Sequence, residues 1–121
     1  IEGGMPLPAY LEHLGKMNVV IDKTSSYSCG VNALFALALG KVVLGGAEPE
    51  NHLLYGDAPM PVLNITPDAG SIVRQVEAAL AQRADLAQLG AASREFVATH
   101  HDHVRVAERY LAAWVQPKKA V

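Results

Sequence analysis

Two rhythms of apolar residues divide the chain. Short unbroken runs bounded by turn residues, VVID at Val19–Asp22, KVVLGG at Lys41–Gly46 and PVLNI at Pro61–Ile65, read as strands. MNVVID in particular reads as a strand buried on both faces, as parallel strands are. Between and after the runs, apolar residues recur every three or four positions, the period of an amphipathic helix. Leu7, Leu11 and Leu14 mark a short helix that opens around Pro6 and Pro8 and ends near Lys16. An apolar helix opens at about Gly30 and closes at Gly40, and IEGG at Ile1–Gly4 has the form of a strand tail and its turn. The segment AEPENHLLYGDAPM is a long loop with one helical turn around His52 to Tyr55. After Ile65 only helices are expected. Thr66 would cap the first of them, with Pro67 at its first position. Its stripe is Ile72, Val73, Val76, Ala79 and Leu80. The next carries Leu86, Leu89, Ser93, Phe96 and Val97 on one side, and the last carries Val104, Ala107, Leu111 and Trp114. The alternation predicts an α/β chain, a parallel sheet of about four strands with flanking and C-terminal helices, as one domain over residues 1–116 and a flexible tail at 117–121.

The stretch TSSYSCGVNALFALALGKVVLGG stands out within this pattern. A strand empties into a loop of small polar residues that sits at the start of a helix. Free N–H groups and the positive end of the helix dipole make such a place suited to phosphate. The loop offers hydroxyls at Ser25, Ser26, Tyr27 and Ser28 and the backbone amides of Gly30, Val31 and Asn32. A tight crossover with no ligand is the plainer alternative. Neither GxxxxGK[ST] nor GxGxxG is present, so the P-loop and dinucleotide fingerprints do not apply.

Composition narrows the classes. The formal net charge is −2 with the signs interspersed, and Lys118–Lys119 is the only basic run. Nucleic acid, which needs clustered Lys and Arg, is not an expected partner. The longest apolar run, Ala33 to Leu39, falls short of the about twenty residues that a membrane-spanning helix requires. One cysteine, Cys29, has no partner for an internal disulfide and suits a reducing cytoplasm, with a peripheral place at the inner membrane face left open. The chain starts at Ile1 and not at methionine, which points to a processed product or a fragment.

Other residues could carry chemistry, each with a plainer reading beside it. Asp22 lies at the carboxyl end of a strand, where open α/β sheets place ligands, and it could equally be a solvated carboxylate. A receiver-like module using Asp22 as phosphoacceptor would need acidic metal ligands on an earlier strand, where Glu2 is the one candidate. Cys29 beside a helix N-terminus could have a lowered pKa, although no partner for a catalytic dyad is near it in sequence. His100, His101 and His103 cluster around Asp102 at a junction between helices, where polar caps are ordinary, and no metal site is expected. Glu48 and Glu50 flank Pro49 and could serve acid–base work or be solvated loop acids.

The wording YSCGVNALFALALGKVVLGG resembles the donor-binding segment of retaining glycosyltransferases of the GT-B fold, the large glycosyltransferase 4 group. That family reads approximately E-G-F-G-x-x-x-L-E-A-M-A-x-G-x-P-V-I. Gly30 matches its second glycine, Leu34 its leucine, and Ala36, Ala38 and Gly40 its A-x-A-x-G, with Val42 to Leu44 on the following strand. LAQLGAASREFVATHHDHVRVAERYLAAW is similar to the family's closing helices. The resemblance implies a Rossmann-like domain fragment, the nucleotide-sugar side of an enzyme whose N-terminal domain is missing here. Such an enzyme would move a sugar from a nucleotide diphosphate sugar, the co-substrate, to a glycan or lipid-linked acceptor in polysaccharide biosynthesis, with no other cofactor. Donor and diphosphate would sit at Ser26, Tyr27, Ser28, Gly30, Val31 and Asn32 and not at the histidines, and the catalytic residues are unassigned.

One departure matters. Two family glutamates, one facing the donor sugar and one the ribose, fall on Tyr27 and Phe35 when aligned without gaps. Neither replacement accepts the hydrogen bonds of a carboxylate. Ser28 and Asn32 are the nearest polar substitutes in sequence. The alternative is therefore a non-catalytic interaction module on a glycosyltransferase scaffold that has lost donor chemistry.

Overall fold

The computed structural model describes residues 4–115, in the order helix α1 (Leu7–Gly15), strand β1 (Val19–Ile21), α2 (Val31–Ala38), β2 (Val42–Gly45), α3 (His52–Tyr55), β3 (Val62–Asn64), α4 (Ala69–Ala81), α5 (Leu86–His100) and α6 (His103–Val115). The three strands form one parallel open sheet in the order β1-β2-β3. Val20 pairs with Val43, and Val43 with Val62. The described sheet thus has three strands where about four were expected; the predicted strand tail at Ile1 and the tail at 117–121 lie outside the described residues.

The alternation of side chains along a strand assigns each residue of β2 to a face. Val43 points into a layer built from Ala33, Ala36 and Leu37 of α2 and Phe96 of α5. Val42 and Leu44 point the other way, with Ile72, Val76 and Ala79 of α4 and Leu86 and Leu89 of α5. All four residues of β2 are buried, as expected of a strand covered on both faces. β1 departs from that expectation: it is one of the two outer strands of the described sheet, Val19 and Val20 are half-buried, and Ile21 is 53% exposed. The core is therefore centred on β2 and α2. Leu37 and Leu44 are fully enclosed there, each stabilising the fold by roughly 1.5–3 kcal/mol through its burial.

α2 ends where Gly40 adopts the left-handed conformation, φ 71°. A side chain there would also run into Arg94 of α5, so glycine at this corner lets α5 close against the end of α2.

The start of α4 lies two residues later than the sequence pattern predicts. Asp68, not Thr66, is the N-cap; its Oδ1 accepts from the Ser71 amide at 2.8 Å. Thr66 instead supports the cap, its hydroxyl donating to Asp68 Oδ2 at 2.6 Å and its amide to Ser71 Oγ at 3.1 Å. The Thr66 hydroxyl first and the Ser71 amide second hold the Asp68 carboxyl below the usual carboxylate value of 3.8.

α6 is built differently from the other long helices. Its first turn is held by Asp102 Oδ1, which accepts from the Arg105 amide at 3.0 Å, and Arg109 Nη2 donates to the carbonyl of His100 at 2.8 Å. No residue of α6 is buried. The expected stripe is present, but it faces outward: Val104, Leu111 and Trp114 are all exposed, Trp114 at 76%. Among the described residues no helix is long and apolar enough to cross a membrane.

Candidate functional site

The loops that leave the three strands meet at the carboxyl edge of the sheet. Thr24, Ser25, Ser26 and Tyr27 come from the loop after β1, Glu48 from the loop after β2, and Ile65, Thr66 and Pro67 from the link after β3. Together they line a groove of about 230 Å³.

The loop after β1 is fastened rather than free. Gly46 makes its approach possible, because a Cβ there would overlap the Ser26 carbonyl oxygen. Ser28 forms an antiparallel bridge with Ala47, and the Glu48 amide donates to the Tyr27 carbonyl at 3.0 Å. Asn51, 8% exposed, clasps both loops, its Nδ2 donating to the carbonyls of Tyr27 at 2.9 Å and Glu48 at 2.7 Å. Asn64 adds a link from the end of β3, its Oδ1 accepting from the Ala47 amide at 2.8 Å. Ser26 Oγ donates to the Ser28 carbonyl at 2.6 Å. The rim is thus a set of backbone turns with the buried Asn51 and half-buried Asn64 amides as struts, while the Tyr27 side chain stands 79% exposed above it.

The six residues expected to hold a donor and diphosphate are not all brought into this groove. Ser26 and Tyr27 line it. Ser28 belongs to the bridge behind them, and Gly30, Val31 and Asn32 open α2 beside the groove, with Val31 and Asn32 exposed to solvent.

No acidic residue lies in the first turn of α2, as its sequence predicts, but an acid reaches the helix start from the end of β1. Asp22 Oδ2 accepts from the Gly30 amide at 3.1 Å, so that donor is occupied and a carboxylate stands where an anion would. The amides of Val31 and Asn32 remain as first-turn donors without intrahelical acceptors. Lys23 partly compensates: its Nζ lies 3.9 Å from the position a Cβ on Gly30 would take, a position that Asp22 Oδ2 approaches to 3.7 Å. Sequence reasoning passed over Lys23, although its place directly after a strand-end Asp22 was visible. It also passed over Asn51, whose role depends on a contact 24 residues away.

Cys29 is half-buried in the apolar layer, and its thiol is pushed up to about 11, first by burial and then by Asp22. That suppresses the thiolate at neutral pH. Glu48 and Glu50 do not act as a pair at the groove: Glu48 lines it, whereas Glu50 is exposed on the neighbouring turn. Phe35 is half-buried within α2 and away from the groove lining. Glu2, the acid a receiver would need, lies outside the described residues.

The histidines form an aromatic cluster. His100 packs against Tyr55 and Phe96 at ring centroid distances of 5.4 and 4.8 Å, and His101 against the same rings at 5.7 and 5.9 Å. His103 is exposed on α6 with Nδ1 3.8 Å from Asp102. Among the described residues no group of three or more His, Cys, Asp and Glu side chains is placed to hold a metal ion. His101 is held below its ordinary value of 6.5, first by burial and then by the neighbouring charges of His100 and Arg109.

Against known proteins, no family model, no curated protein and no solved structure matches the chain.

Proposed function

We propose that the chain is the nucleotide-sugar-binding part of a glycosyltransferase of the GT-B type, with a Rossmann-like sheet completed outside the described residues. The carrying observation is the groove lined by the loops after all three parallel strands, since open parallel sheets bind ligands at this edge. The whole enzyme would transfer a hexose from a nucleotide diphosphate sugar to a glycan or lipid-linked acceptor. Lys23 and the amides of Val31 and Asn32 would neutralise the diphosphate, and the loop hydroxyls would position the donor. The acceptor-side domain of the same enzyme would cover apolar surface on this one, for which α6 offers Val104, Leu111 and Trp114.

Titrating the chain with UDP-glucose, GDP-mannose and ADP-glucose tests the reading. Saturable binding at micromolar concentration that Lys23→Met weakens supports it. Silence across the panel overturns it in favour of the second reading, a non-catalytic interaction module. That reading draws on the outward apolar stripe of α6 and on Tyr27 and Phe35 where the enzymes it resembles carry glutamates.

A further inference from the structure

The groove and the helix start beside it differ in charge. Of the described residues lining the groove, Thr24, Ser25, Ser26 and Thr66 carry hydroxyls, Tyr27 presents an exposed ring, and Glu48 is the single charged one. No cation lines it. A diphosphate placed there would meet, among the described residues, one carboxylate and no counter-charge. A neutral polyhydroxylated ring would meet what it needs: an acceptor for its hydroxyl protons, small hydroxyls that donate or accept, and an aromatic face for its C–H side. The neighbouring cation, Lys23, sits outside the groove at the start of α2.

We infer that this groove is the sugar subsite and that Glu48, reaching it from the loop after β2, supplies the carboxylate that position 27 lacks, with Tyr27 packing on the sugar face. The inference rests on the reading of the chain as a nucleotide-sugar binder and adds which part of the ligand goes where. Two structural facts make Glu48 the substitute rather than Ser28 or Asn32. Its amide is bonded to the Tyr27 carbonyl at 3.0 Å, so the two residues are adjacent across the rim although 21 positions apart in the chain. Asn51 holds both carbonyls at once, which fixes the spacing of the pair before any ligand arrives. Ser28 and Asn32 are outside the groove lining.

The test compares UDP-glucose with UDP, and both with D-glucose, on the whole chain and on its Glu48→Gln and Tyr27→Ala variants, by calorimetry and amide NMR shifts. Both side chains lie on the surface rim, and backbone-resolved spectra report whether each variant keeps its fold. The expected result is that UDP-glucose moves the Ser25, Ser26 and Thr66 amides while UDP does not. Each variant should weaken UDP-glucose by about tenfold, the size of a lost charge-assisted hydrogen bond or aromatic contact, and leave UDP unchanged. Equal weakening of UDP and UDP-glucose, or no weakening of either, overturns the sugar subsite and leaves the nucleotide-sugar reading standing. Failure of every nucleotide sugar to bind, with D-glucose still moving these amides in a Glu48-dependent way, overturns that reading and keeps the subsite. If neither UDP-glucose nor D-glucose moves them, the subsite falls.

Discussion

α2 and α6 both present an apolar face and live in opposite surroundings. α2 has eight residues and buries Ala33, Ala36 and Leu37, with all three at 0% exposure between the sheet and α5. α6 has thirteen residues, an apolar arc running through Val104, Leu111 and Trp114, and no buried residue at all. A helix of that length is marginal in water on propensity alone. It stays attached through its first-turn cap at Asp102 and the Arg109 bond to His100. Period 3.6 in a sequence states that a helix has an apolar face. Whether anything covers that face is a separate matter, and in this molecule the two helices answer it differently.

The contrast breaks if the two regions respond alike to perturbation. The largest effect is expected at Leu37→Ala, which should lower unfolding stability by about 2–5 kcal/mol in urea denaturation followed by circular dichroism. A loss below about 1 kcal/mol would mean that the α2 layer is not the core. Gly46→Ala comes next. Its Cβ would overlap the Ser26 carbonyl oxygen, so the loop after β1 must lift. A cost of about 1–3 kcal/mol is expected from the overpacking, with large shifts of the amides from Ser25 to Glu48. Unmoved amides would show that the rim is not built on this close approach.

A smaller effect is expected at the boundary between the regions. His101 is held neutral in the fold below its ordinary value of 6.5, so below that pH the unfolded chain takes up the proton more readily than the folded one. Stability contributed by the neutral ring is present above 6.5 and declines as the pH falls through it towards the lower folded value. His101→Phe should flatten that slope in thermal melts between about pH 5 and 7, whereas Asp68, shifted down from 3.8, contributes only to the more acidic limb. An unchanged slope would place the proton uptake elsewhere.

The smallest effect is at α6. Trp114→Ala should change stability by no more than about 0.5 kcal/mol. Because Trp114 is the only tryptophan, its emission should already be that of an exposed indole in the native chain and should hardly shift on unfolding. A cooperative emission shift coincident with the circular dichroism transition would show that α6 packs on the body.

Much of the chain was legible because local signals agreed with their surroundings. The three strands, the single turn at His52–Tyr55 and the helical stripes at Ile72, Val76 and Ala79 and at Phe96 and Val97 followed from period and punctuation. Where two local signals competed, tertiary partners chose. Thr66 and Asp68 are both good caps, and Ser71, free to bond both of them, placed the helix start after Asp68. The loop between β1 and α2 was legible as a polar turn before a helix. Its electrostatics were not, because they depend on where the Asp22 carboxylate comes to rest, and it rests on the Gly30 amide.

Hydrophobic period and turn residues act over a few positions, so the sequence by itself determined which segments are strand and helix and that the strands run parallel. Partners separated by tens of residues are set by chain folding, so only the tertiary structure decided that Glu48 stands beside Tyr27 under the clasp of Asn51. The same holds for β2, buried on both faces while β1 is not, and for the last helix, which turns its apolar side to the solvent.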